Sequence, residues 1–235
     1  MRNPFLCAVH VGLPKQHGVE GATNTRDRPW SSGIYKDAVA GALWLGFTNL
    51  VGDGQADPDH HGGPEKAVLA YAADHYPLWR SELEPLELPY GAFGENFTIA
   101  GLTEETVCIG DIYIIGGAIV QVSQPRQPCW KLTRRWQVKD LVIRVQANGR
   151  TGWYFRVLKE GYIEQGVPVI LLDRPFPQWP IIHGHRVMLC KGEDRVATAE
   201  LAACPLLSRN WRKTLSARLN REDVPDSHLR LLGPE

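Results

Sequence analysis

Short runs of apolar or alternating residues, separated by turn residues, dominate the chain up to about residue 174. Such runs have the length and β-branched content typical of strands. They lie at residues 6–11, 47–51, 68–71, 96–99, 151–158 and 168–172. Residues 111–115 and 118–122 flank Gly116-Gly117 and predict a hairpin, because glycine tolerates the positive φ of tight turns. One short helix is predicted over residues 74–83.

Helical spacing replaces this pattern after a proline-rich stretch at residues 175–180. Three helices are predicted, at about residues 182–190, 195–203 and 209–219. Ser208 precedes the last of them as an N-cap, and apolar residues recur there every four positions. We therefore predict a mainly β protein with some α structure. A β-barrel-like domain would cover residues 1–175, and a small three-helix domain would cover residues 176–235.

The composition narrows the class of protein. The 235 residues correspond to about 1.6 domains of typical size. Hydrophobic residues make up 43% and charged residues 22%, which excludes a disordered chain, a collagen and a coiled coil. With 26 basic and 26 acidic residues the net charge is zero, and this balance disfavours bulk binding of nucleic acid.

Hydropathy and cysteine usage bear on the compartment. The longest nearly apolar run covers only residues 38–47, which is too short to span a membrane. The N-terminal residues lack the apolar core and cleavage site of a signal peptide. The five cysteines are an odd number and form no C-x-x-C pair. We therefore expect a cytoplasmic protein with free thiols and no membrane partner.

The segment around Cys129 contains the largest group of candidate functional residues. The chain leaves a strand there and enters a predicted helix, with Pro128 at its first position and a stop at Asn148-Gly149. Cys129 would lie in the first turn, where the helix dipole and nearby cations favour a thiolate. The cations are Arg126, Lys131, Arg134 and Arg135, with no carboxylate among them. The last two arginines are interpreted as a solvated helix face.

Thiolate chemistry leaves three roles open for Cys129: nucleophile, sulfur carrier or soft-metal ligand. The alternative is a buried, inert cysteine, since free cysteine is among the most buried residue types. We prefer that interpretation for Cys7, Cys108 and Cys190, because their neighbours are apolar.

A second segment rich in ionisable residues covers residues 57–66, and its first five residues contain two carboxylates and two imidazoles. They could bind a divalent metal, but adjacent histidines rarely converge on one ion, so a Gly-Pro turn is favoured. In a further interpretation Gly62 and Gly63 let backbone N–H groups approach an anion such as a phosphate. His61 or Lys66 would then lie near that anion.

Six motifs, in order along the chain, resemble the MOSC domain family, the molybdenum cofactor sulfurase C-terminal domain. They are SGIYK at 32–36, HGGPEKAV at 61–68, GENF at 94–97, GD at 110–111, SQPRQPCWKL at 123–132 and GWYFRVL at 152–158. The motif that contains Cys129 is the most specific of them. The similarity extends over about residues 32–172 and is closest to the YiiM-like subgroup of stand-alone bacterial proteins. The C-terminal part is similar to the three-helix domain that accompanies this subgroup.

The resemblance implies a β-barrel that binds the molybdenum–pterin cofactor, with Cys129 as the molybdenum or sulfur ligand. It also implies reduction of N-hydroxylated compounds such as 6-N-hydroxylaminopurine, in a detoxification role, with electrons from a separate flavoprotein reductase. The cofactor would carry the redox chemistry. Candidates to hold its phosphate and pterin are Lys36, Gly62, Gly63, Arg126, Lys131 and Arg156. His61 and Asn96 are candidates to orient the cofactor or deliver a proton, although the residues alone favour Asn96 as the cap of a turn.

Three other functions remain open. Cys129 could carry a persulfide, although the chain shows no pyridoxal-phosphate enzyme portion to generate one. The protein could hold the cofactor without catalysis. Cys129 and His61 could also form a hydrolase, for which no nucleophile motif is present.

The C-terminal helices carry an excess of positive charge. Between residues 183 and 221 there are eight basic and three acidic residues. We interpret this excess as a solvated helical face. Docking of an acidic reductase and binding of nucleic acid are the alternatives.

Overall fold

An eight-stranded sheet forms the centre of the computed structural model, which describes residues 3–190, 193–224 and 227–233. Within these residues the strands are β1 Phe5–Val11, β2 Lys15–His17, β3 Trp30–Ser32, β4 Asp37–Ala38, β5 Leu43–Leu45, β6 Val68–Ala72, β7 Phe97–Ala100, β8 Ile112–Ile115, β9 Ala118–Pro125, β10 Trp153–Lys159, β11 Gly161–Ile163 and β12 Val169–Asp173. The helices are α1 Pro58–His61, α2 Tyr76–Glu82, α3 Lys131–Trp136, α4 Leu141–Asn148, α5 Ile181–Leu189, α6 Arg195–Ala203, α7 Arg209–Leu219 and α8 Ser227–Leu232. Turns of 3-10 helix lie at Thr25–Asp27, Pro64–Lys66 and Ala73–His75.

The large sheet has the strand order β12-β8-β9-β10-β6-β7-β1-β4 and is antiparallel except between β6 and β7. Two further sheets pair β11 with β5 and β2 with β3. The predicted hairpin is confirmed: Ile115 pairs with Ala118, and Gly116 between them has a φ of 58°. The C-terminal end of β9 lies beside β10. The chain continues from this end of β9 to Cys129.

The strand ladders of the described residues do not close this sheet into a barrel. The chain before β12 nevertheless meets β1, because Phe5 forms a single antiparallel bridge with Pro168. Leu6 N also donates to Val167 O at 3.0 Å. Val169 N donates to Pro4 O at 2.9 Å on the other side of this pair, so the contact consists of one bridge and its flanking hydrogen bonds rather than a strand ladder. The predicted β-barrel is therefore corrected to a large sheet within a mixed α/β fold.

One predicted strand is wrong. Residues 47–51 form a turn, and the strand of this region is β5, two residues earlier. Only Leu50 pairs, through one isolated bridge to Leu45. Phe47 and Val51 are more than half exposed, at 52% and 57%, so they contribute no buried face to a sheet. The other predicted strands are confirmed at their positions.

The single helix predicted to follow Pro128 is two helices. α3 begins only at Lys131, so Pro128 is not its first residue and Cys129 precedes the helix. α3 ends because Gln137 adopts the left-handed conformation, with a φ of 55°. α4 then ends at the predicted stop, where Gly149 has a φ of 76°.

The C-terminal helices α5, α6 and α7 confirm the three predicted helices, and α8 is an additional one. They share one hydrophobic core with the sheet, which joins Trp153 and Phe155 to Ile181, Leu201 and Trp211. The division into domains at residue 175 stays a prediction. No helix in the described part of the chain is long and apolar enough to cross a bilayer.

A second hydrophobic cluster supports the region around Cys129. It packs Leu132 of α3 and Val145 of α4 against Tyr71, Trp79 and Phe93, which are all fully buried. Because α3 follows Cys129 almost directly, this packing fixes the C-terminal side of the loop that carries the thiol.

Candidate functional site

Cys129 lies in the wall of a cavity of about 600 Å³, a volume that includes its open mouth. The lining comes mainly from residues 32–36 and 53–56, from His61 and Lys66, and from residues 126–131. The cavity brings together six predicted site residues: Lys36, His61, Asn96, Arg126, Cys129 and Lys131. Gly62, Gly63 and Arg156, which were also predicted, are not among its lining residues.

The loop after β9 holds Cys129 in place, with only 7% of the residue exposed. Arg126 N donates to Gly152 O at 3.0 Å, and Leu132 N donates to Cys129 O at 3.1 Å. Pro128 restricts the backbone between these two points. The thiol therefore lies at a fixed place in the wall of an open cavity, rather than being sealed in hydrocarbon.

Tyr154 also lines the cavity, although the sequence did not single it out. It pairs with Gln124 across β10 and β9, which places it beside the loop that follows β9. Burial raises the pKa of Tyr154 to about 12, with Arg126 opposing the rise and Cys129 adding to it. The phenol is therefore protonated at neutral pH and can donate a hydrogen bond into the cavity.

Arg126 brings a nearly buried positive charge to the cavity, with 5% of the residue exposed. Its Nη1 has no hydrogen-bond partner within the described residues. Leaving a buried charged donor without an acceptor is costly, and folded proteins rarely do so. A ligand that carries an anionic oxygen would satisfy this donor.

Lys36 is paired with Asp53, a carboxylate that the sequence analysis missed. Lys36 Nζ forms an ion pair with Asp53 Oδ1, and both side chains are buried. Asp53 also accepts hydrogen bonds from Gly12 N at 2.9 Å and Gln55 Nε2 at 3.3 Å. Burial lowers the pKa of Lys36, and Asp53 opposes that change. A ligand near Lys36 would thus meet a compensated ion pair rather than a free ammonium group.

Residues 57–66 form the short helix α1 and a 3-10 turn. Asp57 caps α1 by accepting from His60 N at 3.2 Å, and it also pairs with His60 Nδ1 at 2.9 Å. Gly62 N donates to Pro58 O at 2.9 Å, so that N–H is not available to a phosphate. The described residues contain no group of three or more His, Cys, Asp or Glu side chains that could hold a metal.

His61 faces the cavity as a neutral imidazole. Burial lowers the pKa of His61 to about 4, Lys131 reinforces the change, and Asp57 opposes it. At neutral pH the ring can accept or donate a hydrogen bond, but it holds no extra proton to deliver. An anion bound among the nearby cations would raise this pKa.

Acid is expected to destabilise the protein through His61. The ordinary pKa of 6.5 applies in the unfolded chain, whereas the folded value is about 4, so the unfolded state binds more protons between these values. Stability is complete above pH 6.5 and is lost as pH falls towards 4, by up to about 3 kcal/mol. His61→Gln should flatten the urea-unfolding free energy against pH. His183→Gln, at an exposed helix position, is the control. An unchanged slope in His61→Gln would contradict this assignment.

Arg156 and Asn96 hold the structure around the cavity together. Arg156 Nη2 donates to Leu206 O at 2.9 Å and pairs with Glu65 at 3.3 Å, outside the lining. Asn96 lines the cavity, but its side chain joins two strands. It accepts from Leu69 N at 3.1 Å and donates to a carbonyl on β1 at 3.2 Å. The protein itself uses much of the hydrogen-bonding capacity of both residues.

Arg134 and Arg135 do not form a solvated face, contrary to the interpretation from sequence. Arg134 is 8% exposed and donates to Thr25 O at 2.8 Å. Arg135 donates to Ile34 O at 2.6 Å and to Gly91 O at 2.7 Å. These carbonyls are distant in sequence, so the arginines fix α3 against the loops that surround the cavity.

All five cysteines are free, as predicted. Cys108 is buried and Cys7 is half-buried, and burial raises the pKa of both thiols. Cys190 is exposed directly after α5, so the interpretation of it as a buried residue is wrong. It follows the last turn of an amphipathic helix, where the chain leaves the core.

Positive charge prevails in the cavity. The charged lining residues are Lys36, Lys66, Arg126, Lys131 and Asp53. Asp53 is engaged with Lys36, so three further cations face the space without a carboxylate in the lining to match them. A concave surface of one sign concentrates ligands of the opposite charge. The site can therefore bind an anionic ligand and present one sulfur atom to it.

Three comparisons identify similar proteins. The family model for the MOSC domain matches residues 57–170. YflK of Bacillus subtilis (strain 168) is 44% identical over 216 residues, which are 92% of this chain and 95% of that protein. A protein named reductase from Gibberella moniliformis is 40% identical over 179 residues, 75% of this chain but 32% of that protein. The crystal structure of YiiM from Geobacillus stearothermophilus has a TM-score of 0.77 and 36% identity, covering 92% of this chain and 99% of that one.

Proposed function

Because this chain belongs to the MOSC domain family, we propose that it binds a molybdenum–pterin cofactor in the Cys129 cavity and reduces N-hydroxylated compounds. One observation carries the proposal. A thiol and a buried guanidinium, whose Nη1 has no partner among the described residues, line the same cation-rich cavity. A soft metal bound to sulfur and a pterin that carries phosphate together need these two kinds of group.

The residues of the cavity fit such a cofactor. Cys129 supplies a soft thiolate ligand for molybdenum. Arg126 and Lys131 line the cavity and would bind phosphate or pterin oxygens, and Nη1 of Arg126 has no acceptor within the described residues. Lys66 adds a third cation, although Lys66 Nζ also donates to the carbonyl of His60. We assign no cofactor contact to Gly62, Gly63 and Arg156, because they do not line the cavity.

When bound, the cofactor supplies two-electron chemistry, in which R–NHOH, two electrons and two protons give R–NH2 and water. The protein contributes groups that hold protons around the substrate. Tyr154 keeps its proton at neutral pH and can donate a hydrogen bond to the hydroxyl oxygen of the substrate. His61 is neutral and orients a ligand, so we assign it a positioning role rather than that of proton source.

Electrons would come from a separate flavoprotein reductase. The similarity to one region of a longer protein named reductase supports a role in electron transfer. The basic C-terminal helices are a candidate surface for that partner. Of their cations, Lys191 lies outside the described residues, whereas Arg209 and Arg212 lie on exposed positions of α7. Docking of this kind predicts that activity with the reductase falls as salt is raised.

Turnover of an N-hydroxylated substrate tests the proposal. Full-length protein from cells that make the cofactor is combined with an NADH-dependent flavoprotein reductase and 6-N-hydroxylaminopurine, and the amine product is quantified by chromatography. We expect conversion well above that of the reductase alone. Protein from cells grown on tungstate is the matched control and should be inactive. Equal conversion by both preparations would contradict a molybdenum-dependent reaction.

A further inference from the structure

The last helix of the chain contacts the loop that carries Cys129. Arg230 of α8 donates from Nη1 to Pro128 O at 2.5 Å. In return Trp130 N donates to Arg230 O at 2.8 Å. The residues on both sides of Cys129 are thus hydrogen-bonded to one residue that lies about a hundred positions later in the sequence.

Two further contacts fix α8 in this position. Arg230 Nη2 donates to Gln146 Oε1 of α4 at 2.8 Å, so its guanidinium bridges the loop and a helix of the second hydrophobic cluster. Gly233 lies directly against the Trp130 ring, because a Cβ at this position would come within 2.9 Å of it. Gly233 also has a φ of 81°, which favours glycine.

Contacts nearer in sequence fix other atoms of this loop: Arg126 N donates to Gly152 O, and Leu132 N donates to Cys129 O. Cys129 precedes α3, so no α-helical hydrogen bonds fix its own backbone in the way that a first helical turn would. Trp130 N would lack a partner here without the carbonyl of Arg230. A guanidinium that donates to two fixed acceptors holds them in one geometry, which an ammonium group cannot reproduce.

We infer that α8 is a strap that positions Cys129, with Arg230 as the residue that ties the thiol-bearing loop to the rest of the fold. Arg230 acts through Pro128 and Trp130 and so is a positioning residue. Its effect on cofactor retention rests on the proposed function. Its effect on the position of the loop does not rest on the proposed function, and it can be measured on protein without cofactor.

Alkylation of Cys129 by iodoacetamide measures the position of the loop. The rate is followed by peptide mass spectrometry in cofactor-free, full-length protein, with the exposed Cys190 as an internal reference. Loss of two charge-assisted hydrogen bonds in Arg230→Ala should accelerate modification of Cys129 by about tenfold, with no change at Cys190. Hydrogen exchange at the Trp130 amide should accelerate in parallel. Arg230→Lys should lie between Arg230→Ala and the wild type, since an ammonium group replaces only one of the two bonds.

Two further variants test the strap without altering Arg230. Gln146→Leu removes the acceptor on α4, and Gly233→Val forces α8 away from the Trp130 ring. Both should accelerate alkylation of Cys129, and Gln146→Leu should add little to Arg230→Ala because the two changes break the same contact. These variants keep the inference testable if Arg230→Ala fails to fold.

Arg218→Ala is the matched control. Arg218 lies on α7 and also donates to a distant backbone carbonyl, that of Met188 at 2.7 Å, but it does not contact the Cys129 loop. Alkylation of Cys129 in Arg230→Ala within twofold of the wild type would overturn the inference, as would an equal acceleration in Arg218→Ala. If the wild type contains no molybdenum or pterin, the proposed function fails, but the alkylation rates still decide whether α8 is a strap.

Discussion

Cys129→Ser is expected to lower molybdenum-dependent reduction of 6-N-hydroxylaminopurine by at least about a hundredfold while leaving the fold intact. Serine has nearly the same shape, so the loop and its hydrogen bonds to Gly152 and Leu132 should persist. A hydroxyl is a harder and much less acidic ligand than a thiol, and it does not replace thiolate at a soft metal. The measurement is steady-state turnover with the reductase, together with the thermal midpoint of both proteins.

Cys190→Ser is the matched control for this change. Cys190 is a free thiol that is exposed after α5 and does not line the cavity. Its replacement should leave turnover and stability unchanged. Full activity in Cys129→Ser would remove the thiol from the mechanism and leave the cavity as a binding site only.

Arg126→Met is expected to weaken retention of the cofactor without destabilising the cofactor-free protein. The Nη1 donor has no acceptor within the described residues, so the folded protein gains little from it on its own. A hydrogen bond to a charged ligand contributes about 1.5–3 kcal/mol, which corresponds to about a ten- to hundredfold loss of affinity when it is removed. Pterin fluorescence after gel filtration measures retention, and urea unfolding of cofactor-free protein measures stability.

Arg134→Met gives the contrasting control for Arg126→Met. Arg134 is similarly buried, at 8% exposed, but it donates to backbone carbonyls and lies 4.4 Å from the Trp130 ring centroid. Its loss should destabilise the fold. If Arg126→Met destabilises the protein as much as Arg134→Met and leaves pterin retention unchanged, then Arg126 is a structural residue and the assignment is wrong.

Local patterns predicted much of this fold. The Gly116-Gly117 link specifies a hairpin through the backbone freedom of glycine, and the structure contains it in that register. The range of α7 follows from the Ser208 cap and a helical apolar stripe, signals that lie within or next to the element itself. The motif around Cys129 likewise contains three residues that line the cavity, namely Arg126, Cys129 and Lys131.

Contacts between segments that are distant in sequence could not be predicted from local patterns. Asp53 belongs to the site because it pairs with Lys36 across a sequence gap that no period or motif spans. Tyr154 reaches the cavity through the register of β10 on β9, which depends on strand pairing. The charged residues of α3 are typical of a solvated helix face, but Arg134 is buried and donates to the carbonyl of Thr25, in a loop near the N-terminus. In each case the role of the residue depends on a contact between distant segments rather than on a local pattern.

X-ray absorption at the molybdenum edge shows whether Cys129 is a ligand of the metal. Wild type and Cys129→Ser are purified from the same cells, and the sulfur ligands around molybdenum are counted in each. We expect one sulfur neighbour more in the wild type than in the variant, or loss of the metal itself from the variant. Molybdenum with the same sulfur shell in both proteins would contradict ligation by Cys129.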